Sequence, residues 1–330
     1  MPSSSFHPEK AVEFLLARAH LPVLYWLKMD VLGVSAERES RMLCKFSRRR
    51  RLLETQGEDG SWPGEKTPGR SLGDPSALLV SALKNLFRLH DFGCTIEDEN
   101  VRRAAGFLFA AQTKEGDFRA ASSREYSPGF HALVLEILAL IGMDDDPRVK
   151  KGFRWLLAHR QDDGGWAIPC RTISRRAAER CLKSPALAGE KPYQPDTRKP
   201  YAHFVTGMAL RALAASPSHR AGRDCRKAGE LVLRRFFKDD VYADRRSASH
   251  WLEMSYPFWS TNILSCLDSL ALARFRPEEP AIVKGLEWLK RRQAGDGSWQ
   301  STDSRAGGED HLWLTLAVLR VLKRFGALPA

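Results

Sequence analysis

The sequence predicts an all-α fold, an α/α toroid of six inner and six outer helices, from three observations. A turn of the form Gln-x-x-acidic-Gly-x-aromatic recurs along the chain, the segments before these turns are amphipathic, and the segments after them are apolar on every face.

Four segments carry the turn: Gln56 to Trp62, Gln112 to Phe118, Gln161 to Trp166 and Gln293 to Trp299. In each, glycine lies two residues before the aromatic and an acidic residue three before. Gly60, Gly116, Gly164 and Gly297 suit the left-handed conformation that ends a helix, so the aromatic can fold back onto the last turn. Phe107, Trp155 and Trp288 stand eleven residues upstream of three of these aromatics, about three helical turns and therefore on one helix face.

Segments such as 146–161 and 277–293 begin with Pro or acidic residues and carry a polar face, which predicts outer helices near 8–18, 36–56, 97–112, 146–161, 220–237 and 277–293. Segments such as 130–142, 203–215 and 311–322 predict inner helices near 20–32, 75–90, 128–142, 201–215, 256–274 and 309–325. A stacked repeat cannot bury its apolar face alone, and closure into a ring leaves no bare end. Residues 1–330 therefore read as one toroid domain, interrupted by a basic, Pro-containing loop at about 167–200.

The 330 residues are 43% hydrophobic and 28% charged, as in a folded chain, with a net charge of +12. That excess alone does not select a partner, and no aromatic-studded basic stripe or binding motif supports nucleic acid. The six cysteines form no CxxC pair, and no apolar run reaches the roughly 20 residues of a membrane span. With no charged-then-apolar leader, a cytoplasmic protein is expected, with peripheral membrane contact left open.

The pattern Lys284-Gly285 to Trp299, nearly matched by Lys151-Gly152 to Trp166, resembles the repeat of squalene and hopene cyclases and, more loosely, of protein prenyltransferase β subunits, over roughly residues 36–325. The resemblance implies an α/α toroid that holds an isoprenoid-type small molecule in a central cavity. The catalytic signatures depart from it. No Asp-x-Asp-Asp is present, and Asp144-Asp145-Asp146 before Pro147 suits a helix cap. The zinc-binding Asp-x-Cys slot reads Glu253-Met254-Ser255 and its His slot His311, which argues against zinc because serine cannot replace a thiolate. No metal or other cofactor is assigned.

In such a ring the inner-helix N-termini share one rim, where helix dipoles favour anions. Arg70, Arg124, Arg171, Arg175, Arg198, Lys199, Arg245, Arg246 and Arg305 lie in the loops leading there. Near the same ends, Asp310, His311 and Glu253 are candidate catalytic groups. His131, Tyr201, His203, Trp251, Tyr256, Trp259 and Trp313 are candidate substrate-binding residues, with Asp74 and Tyr126 nearby. Aromatic faces stabilise carbocations, and a His or carboxylate can move a proton. The function expected is an isoprenoid-handling enzyme of cyclase or prenyltransferase type. A catalytically silent toroid that binds lipid or protein is the alternative, as is helix capping for Asp310 and core packing for the aromatics.

Overall fold

The computed structural model describes residues 6–63, 75–119, 126–174, 176, 179, 193, 195–242, 247–303 and 307–328. Among them the chain is helical without a paired strand. Outer helices are α1 (Pro8–Arg18), the pair α3 (Glu37–Leu43) and α4 (Ser47–Glu54), α6 (Glu99–Ala110), α8 (Pro147–Ala158), α11 (Arg223–Leu233) and α13 (Pro280–Arg291). Inner helices are α2 (Leu21–Trp26), which continues as a π-helical turn to Leu32, α5 (Pro75–Asp91), α7 (Pro128–Leu140), α10 (His203–Ala215), α12 (Ile263–Leu272) and α14 (Asp310–Arg324). A one-turn α9 (Pro169–Thr172) lies between α8 and α10.

The inner helices are buried around nearly their whole circumference, as in α10, where twelve of thirteen residues are buried. Each packs on the next: α5 on α7, α7 on α10, α10 on α12, α12 on α14, and α14 on α2 and its π-helical extension. The Trp26 indole donates to the Asp91 carbonyl at 2.8 Å and joins α2 to α5, which closes the inner ring.

The recurrent turn is the fastener of the outer ring. Trp62, Trp166 and Trp299 each donate the indole N–H to a carbonyl of the preceding outer helix, Leu52, Leu156 and Leu289, at 2.8 Å. This satisfies carbonyls that a helix end leaves orphaned. The glutamine of the turn bonds forward. Gln56 donates to Asn100 O, Gln112 to Arg148 O and Gln293 to His7 O, at 2.8–3.0 Å. The last of these ties the final outer helix to the first across 286 residues, so ring closure uses the same device as the α4–α6 and α6–α8 junctions. Gly297 has φ +90, and a Cβ there would lie 2.5 Å from the Lys10 carbonyl, so only glycine permits the approach.

Two expected helices are shortened or split. The outer helix expected over 36–56 breaks between Leu43 and Ser47. The inner helix expected over 256–274 begins at Ile263, because Asn262 and Ser265 cap one another there, Ser265 N–H to Asn262 Oδ1 at 2.9 Å and Asn262 N–H to Ser265 Oγ at 3.0 Å. Tyr256 to Thr261 therefore precede the helix as a bent strap, with Trp259 N–H donating to Pro257 O at 3.0 Å, and Tyr256, Pro257 and Phe258 reach the space among the inner helices.

Candidate functional site

All six inner elements, with the Tyr256–Phe258 strap, enclose a cavity of about 280 Å³. Its lining comes from the C-terminal halves of the helices, which the repeat explains. The backbone N–H of Phe118, Trp166 and Trp299 bonds a side chain of the following inner helix: His131 Nδ1, Thr206 Oγ1 and Thr315 Oγ1. These faces point to the outer layer. Five residues further on, about 140° around the helix, stand Glu136, Arg211 and Arg320, which face the cavity.

The cavity is unusually charged for a site walled by Trp26, Phe87 and Phe258. Arg211 meets Glu136 at 2.8 Å, Arg320 meets Asp30 at 2.7 Å, and Arg324 meets Asp268. Burial pushes the Glu136 carboxyl up despite the opposing Arg211 guanidinium. His90, in the same lining, is pushed down to about 4 by burial, with Arg320 acting the same way, so it is neutral at ordinary pH.

Asp91 has no guanidinium bound to its carboxyl; Tyr256 donates to its Oδ1 at 2.6 Å. Burial pushes it up to about 7, against the Tyr256 hydrogen bond and the Arg320 charge, which both pull it down. Asp91, Tyr256 and Pro257 also line a second, larger cavity of about 470 Å³ with Phe92, Trp313 and Asp310, entered past Arg48, Arg51 and Arg88. Arg48 is held by Glu309, its Nη2 donating to Oε1 at 2.7 Å. Asp91 and its tyrosine thus form the wall common to both spaces.

Residues 67–188 match the family model of the squalene-hopene cyclase C-terminal domain. Over that stretch, which spans two of the four turns and the loop after Trp166 only in part, the chain is similar to the squalene-hopene cyclase repeat. Its fold is shared with a polysaccharide lyase, at a TM-score of 0.53 and 9% identity over 98% of this chain and 99% of that one. More distant similarity extends to the ent-copalyl diphosphate synthase of Streptomyces platensis (TM-score 0.43, 17% identity, 93% of this chain and 50% of that one). It also reaches a variant of the type II terpene cyclase MstE from Scytonema bound to geranylgeranyl dihydroxybenzoate (TM-score 0.36, 15% identity, 88% and 99%). No curated protein sequence matches the chain.

The predicted site residues separate into two groups. Tyr256, Trp313 and Asp310 line the larger cavity, Tyr256 stacking on Trp313 with centroids 5.6 Å apart. Trp259 packs edge-on against Phe87, a lining residue. The others sit between helix layers or outside. His131 is engaged at both ring nitrogens, by Phe118 N and Gly152 O, and burial pushes it down to about 4. Tyr201 donates to Leu231 O, Trp251 donates to Lys238 O, and His203 stacks on Trp251 and approaches Asp240 at 3.4 Å. Neighbouring helix positions diverge by about 100°, so His311 turns from Asp310 to pack against Phe14. Glu253 is exposed and pairs with His250 at 3.0 Å. The three proposed catalytic groups, Asp310, His311 and Glu253, therefore do not line one cavity.

Of the expected basic rim, Arg198 pairs with Asp196, while Arg70, Arg124, Arg175, Arg245, Arg246 and Arg305, with Asp74 nearby, lie outside the described residues. Arg48 and Arg51 of α4 and Arg88 of α5 line the larger cavity. Asp146 caps α8 through Arg148 N at 2.8 Å, as its place before Pro147 suggests. Among the described residues no three His, Cys, Asp or Glu converge as a metal site, and no helix is long and apolar enough to cross a membrane.

Asp91, Glu136, Arg211 and Arg320 were not singled out from the sequence. A usable signal existed: Glu136, Arg211, Asp268 and Arg320 are single charges inside otherwise apolar inner helices, where a charge must have a partner or a function.

Proposed function

We propose that the toroid binds an isoprenoid-type hydrophobic substrate along its axis and that Asp91 is the acid that protonates it. One observation carries the reading: a buried carboxyl, hydrogen-bonded by Tyr256 and pushed up to about 7 so that it keeps its proton in about half of the molecules at neutral pH, inside a cavity walled by aromatic rings. Cyclisation of an isoprenoid begins when an alkene takes a proton, which only a neutral acid can give. The Tyr256 hydroxyl occupies Oδ1, leaving Oδ2 to carry the proton. On transfer, the alkene π pair forms the new C–H bond and the carboxylate keeps the O–H pair. Tyr256 and Arg320 both favour that carboxylate. The cation left on carbon faces Trp26, Phe87 and Phe258, whose ring faces stabilise it until a proton is returned. Together the two cavities fall in the size range of small-molecule sites.

The test is incubation of the protein with squalene, prenyl diphosphates and prenylated phenols in deuterated water. One solvent deuteron should enter each cyclised product, and Asp91→Asn should abolish turnover while leaving binding intact. Absence of turnover together with absence of binding to every isoprenoid would reject the reading.

The strap, which lines both cavities and separates the space into two, favours a second reading, in which the toroid binds its ligand without converting it. Tight binding with no turnover, indifferent to Asp91→Asn, would decide for it. Peripheral membrane contact has a surface available in exposed Met29, Leu32, Val34 and Met42 beside Arg38 and Arg41, and co-sedimentation with anionic vesicles tests it.

A further inference from the structure

The charges around the smaller cavity do not balance. Arg211, Arg220, Arg320 and Arg324 contribute four guanidinium groups, while Asp30, Glu136 and Asp268 contribute at most three negative charges when Asp91 is neutral. While Asp91 holds its proton the lining therefore has an excess of at least one positive charge. Arg320 and Arg324 have carboxylate partners, so the excess falls on the α10 side.

There the donors are left over. Arg211 is 4% exposed, and its Nε and Nη2 reach Glu136 while its Nη1 is buried without a hydrogen-bond partner. Arg220, in the turn after α10, donates one Nη2 bond to Ala215 O at 3.1 Å and has its Nε buried without a partner. A buried guanidinium N–H that meets neither protein nor water costs free energy comparable to a lost charged hydrogen bond. Both side chains line the cavity. An anionic group there would offer oxygens to these donors and offset the excess charge.

We propose that Arg211 and Arg220 form a subsite for an anionic head group, a carboxylate or a phosphate ester, on the ligand whose apolar chain runs past Asp91. The proposal rests on the isoprenoid reading for the chain but not for the head. Arg211 is held in place by Glu136 and, through its guanidinium 5.5 Å from the Phe258 ring centre, by the strap. Head-group capture therefore reaches the segment that carries Tyr256.

The experiment compares binding of farnesol, farnesoic acid and farnesyl monophosphate to the intact chain at pH 6, where Asp91 holds its proton, by tryptophan fluorescence. One or both anions should bind about tenfold tighter than the alcohol, as for a charge-assisted pair of hydrogen bonds, and which anion wins identifies the head. In Arg220→Gln that advantage should fall to about twofold or less with farnesol binding unchanged. A Glu136→Gln/Arg211→Gln double variant, which leaves no lone buried charge, should behave likewise if Arg220→Gln fails to fold. Equal affinity of alcohol and anions for the wild-type chain overturns the proposal, as does an advantage that survives in the variants. If no isoprenoid binds, benzoate and inorganic phosphate read the subsite alone. Protection of the wild-type chain but not Arg220→Gln from thermal unfolding upholds the anion subsite while the isoprenoid reading fails. No protection overturns the subsite too.

Discussion

The Tyr256 hydroxyl donates to Asp91 Oδ1 at 2.6 Å, across 165 residues of sequence. This bond joins the strap before α12 to the last residue of α5, and it stands where the two cavities meet. It sets which oxygen of Asp91 can carry a proton, and it gives the strap a polar anchor between aromatic contacts with Trp313 and, at Trp259, with Phe87.

The first prediction concerns pH. Asp91 moves from 3.8 to about 7 on folding, so the folded chain binds its proton more tightly than the unfolded one. Its contribution is fully favourable below about 4 and is lost as pH rises through 7, by roughly 4 kcal/mol for about three pH units. His90 and His131, held near 4 against 6.5, act oppositely and lose stability on acidification over about 6.5 to 4. The net curve therefore mixes signs, and the difference between wild type and Asp91→Asn isolates the carboxyl. Denaturant unfolding should show the Asn variant gaining relative stability from pH 4 to 8. A flat difference would count against a proton-retaining Asp91.

Removal of the Tyr256 hydroxyl tests the bond itself. Tyr256→Phe withdraws a hydrogen bond that pulls the Asp91 carboxyl down, so Asp91 should rise further. Turnover that needs the protonated acid should persist to higher pH in the variant, with the basic limb of the rate profile displaced upward and the plateau rate reduced. The cost in stability should be about 1 kcal/mol. An unmoved basic limb would show that another group donates the proton.

Ring closure makes a paired prediction. Gly297→Ala requires an L residue at φ +90 with its Cβ 2.5 Å from the Lys10 backbone, whereas Gly295 has nothing within 4 Å of the corresponding Cβ. Thermal unfolding should show Gly297→Ala costing more than about 1 kcal/mol and Gly295→Ala close to neutral. Equal effects would mean that the turn does not hold α13 to α1.

The Glu136–Arg211 pair should be costly to break and cheap to replace. Glu136→Leu alone leaves a buried guanidinium without its carboxylate, which should destabilise by about 3–5 kcal/mol. Glu136→Leu with Arg211→Met should recover most of that in a denaturation double-mutant cycle, while abolishing any preference for anionic ligands.

The sequence by itself determined the toroid. The turns set the helix ends, because a left-handed glycine followed by an aromatic has one way to close on the helix before it, and the apolar segments had to be inner because no other layer could bury them. Tyr256 and Trp313 were legible as cavity residues because they flank the starts of inner helices. His131 and His203 looked equivalent to them by position, yet the same repeat turns those positions toward the outer layer, where His131 completes a fastening turn. Only the tertiary structure decided that the lining lies about five residues further along, and that Asp91, at the end of one helix, meets Tyr256 from a strap between two others. Helical periodicity fixes which residues share a face of one helix, but not which faces of six helices converge. That depends on the rotation of each helix about its own axis, which packing against its neighbours sets.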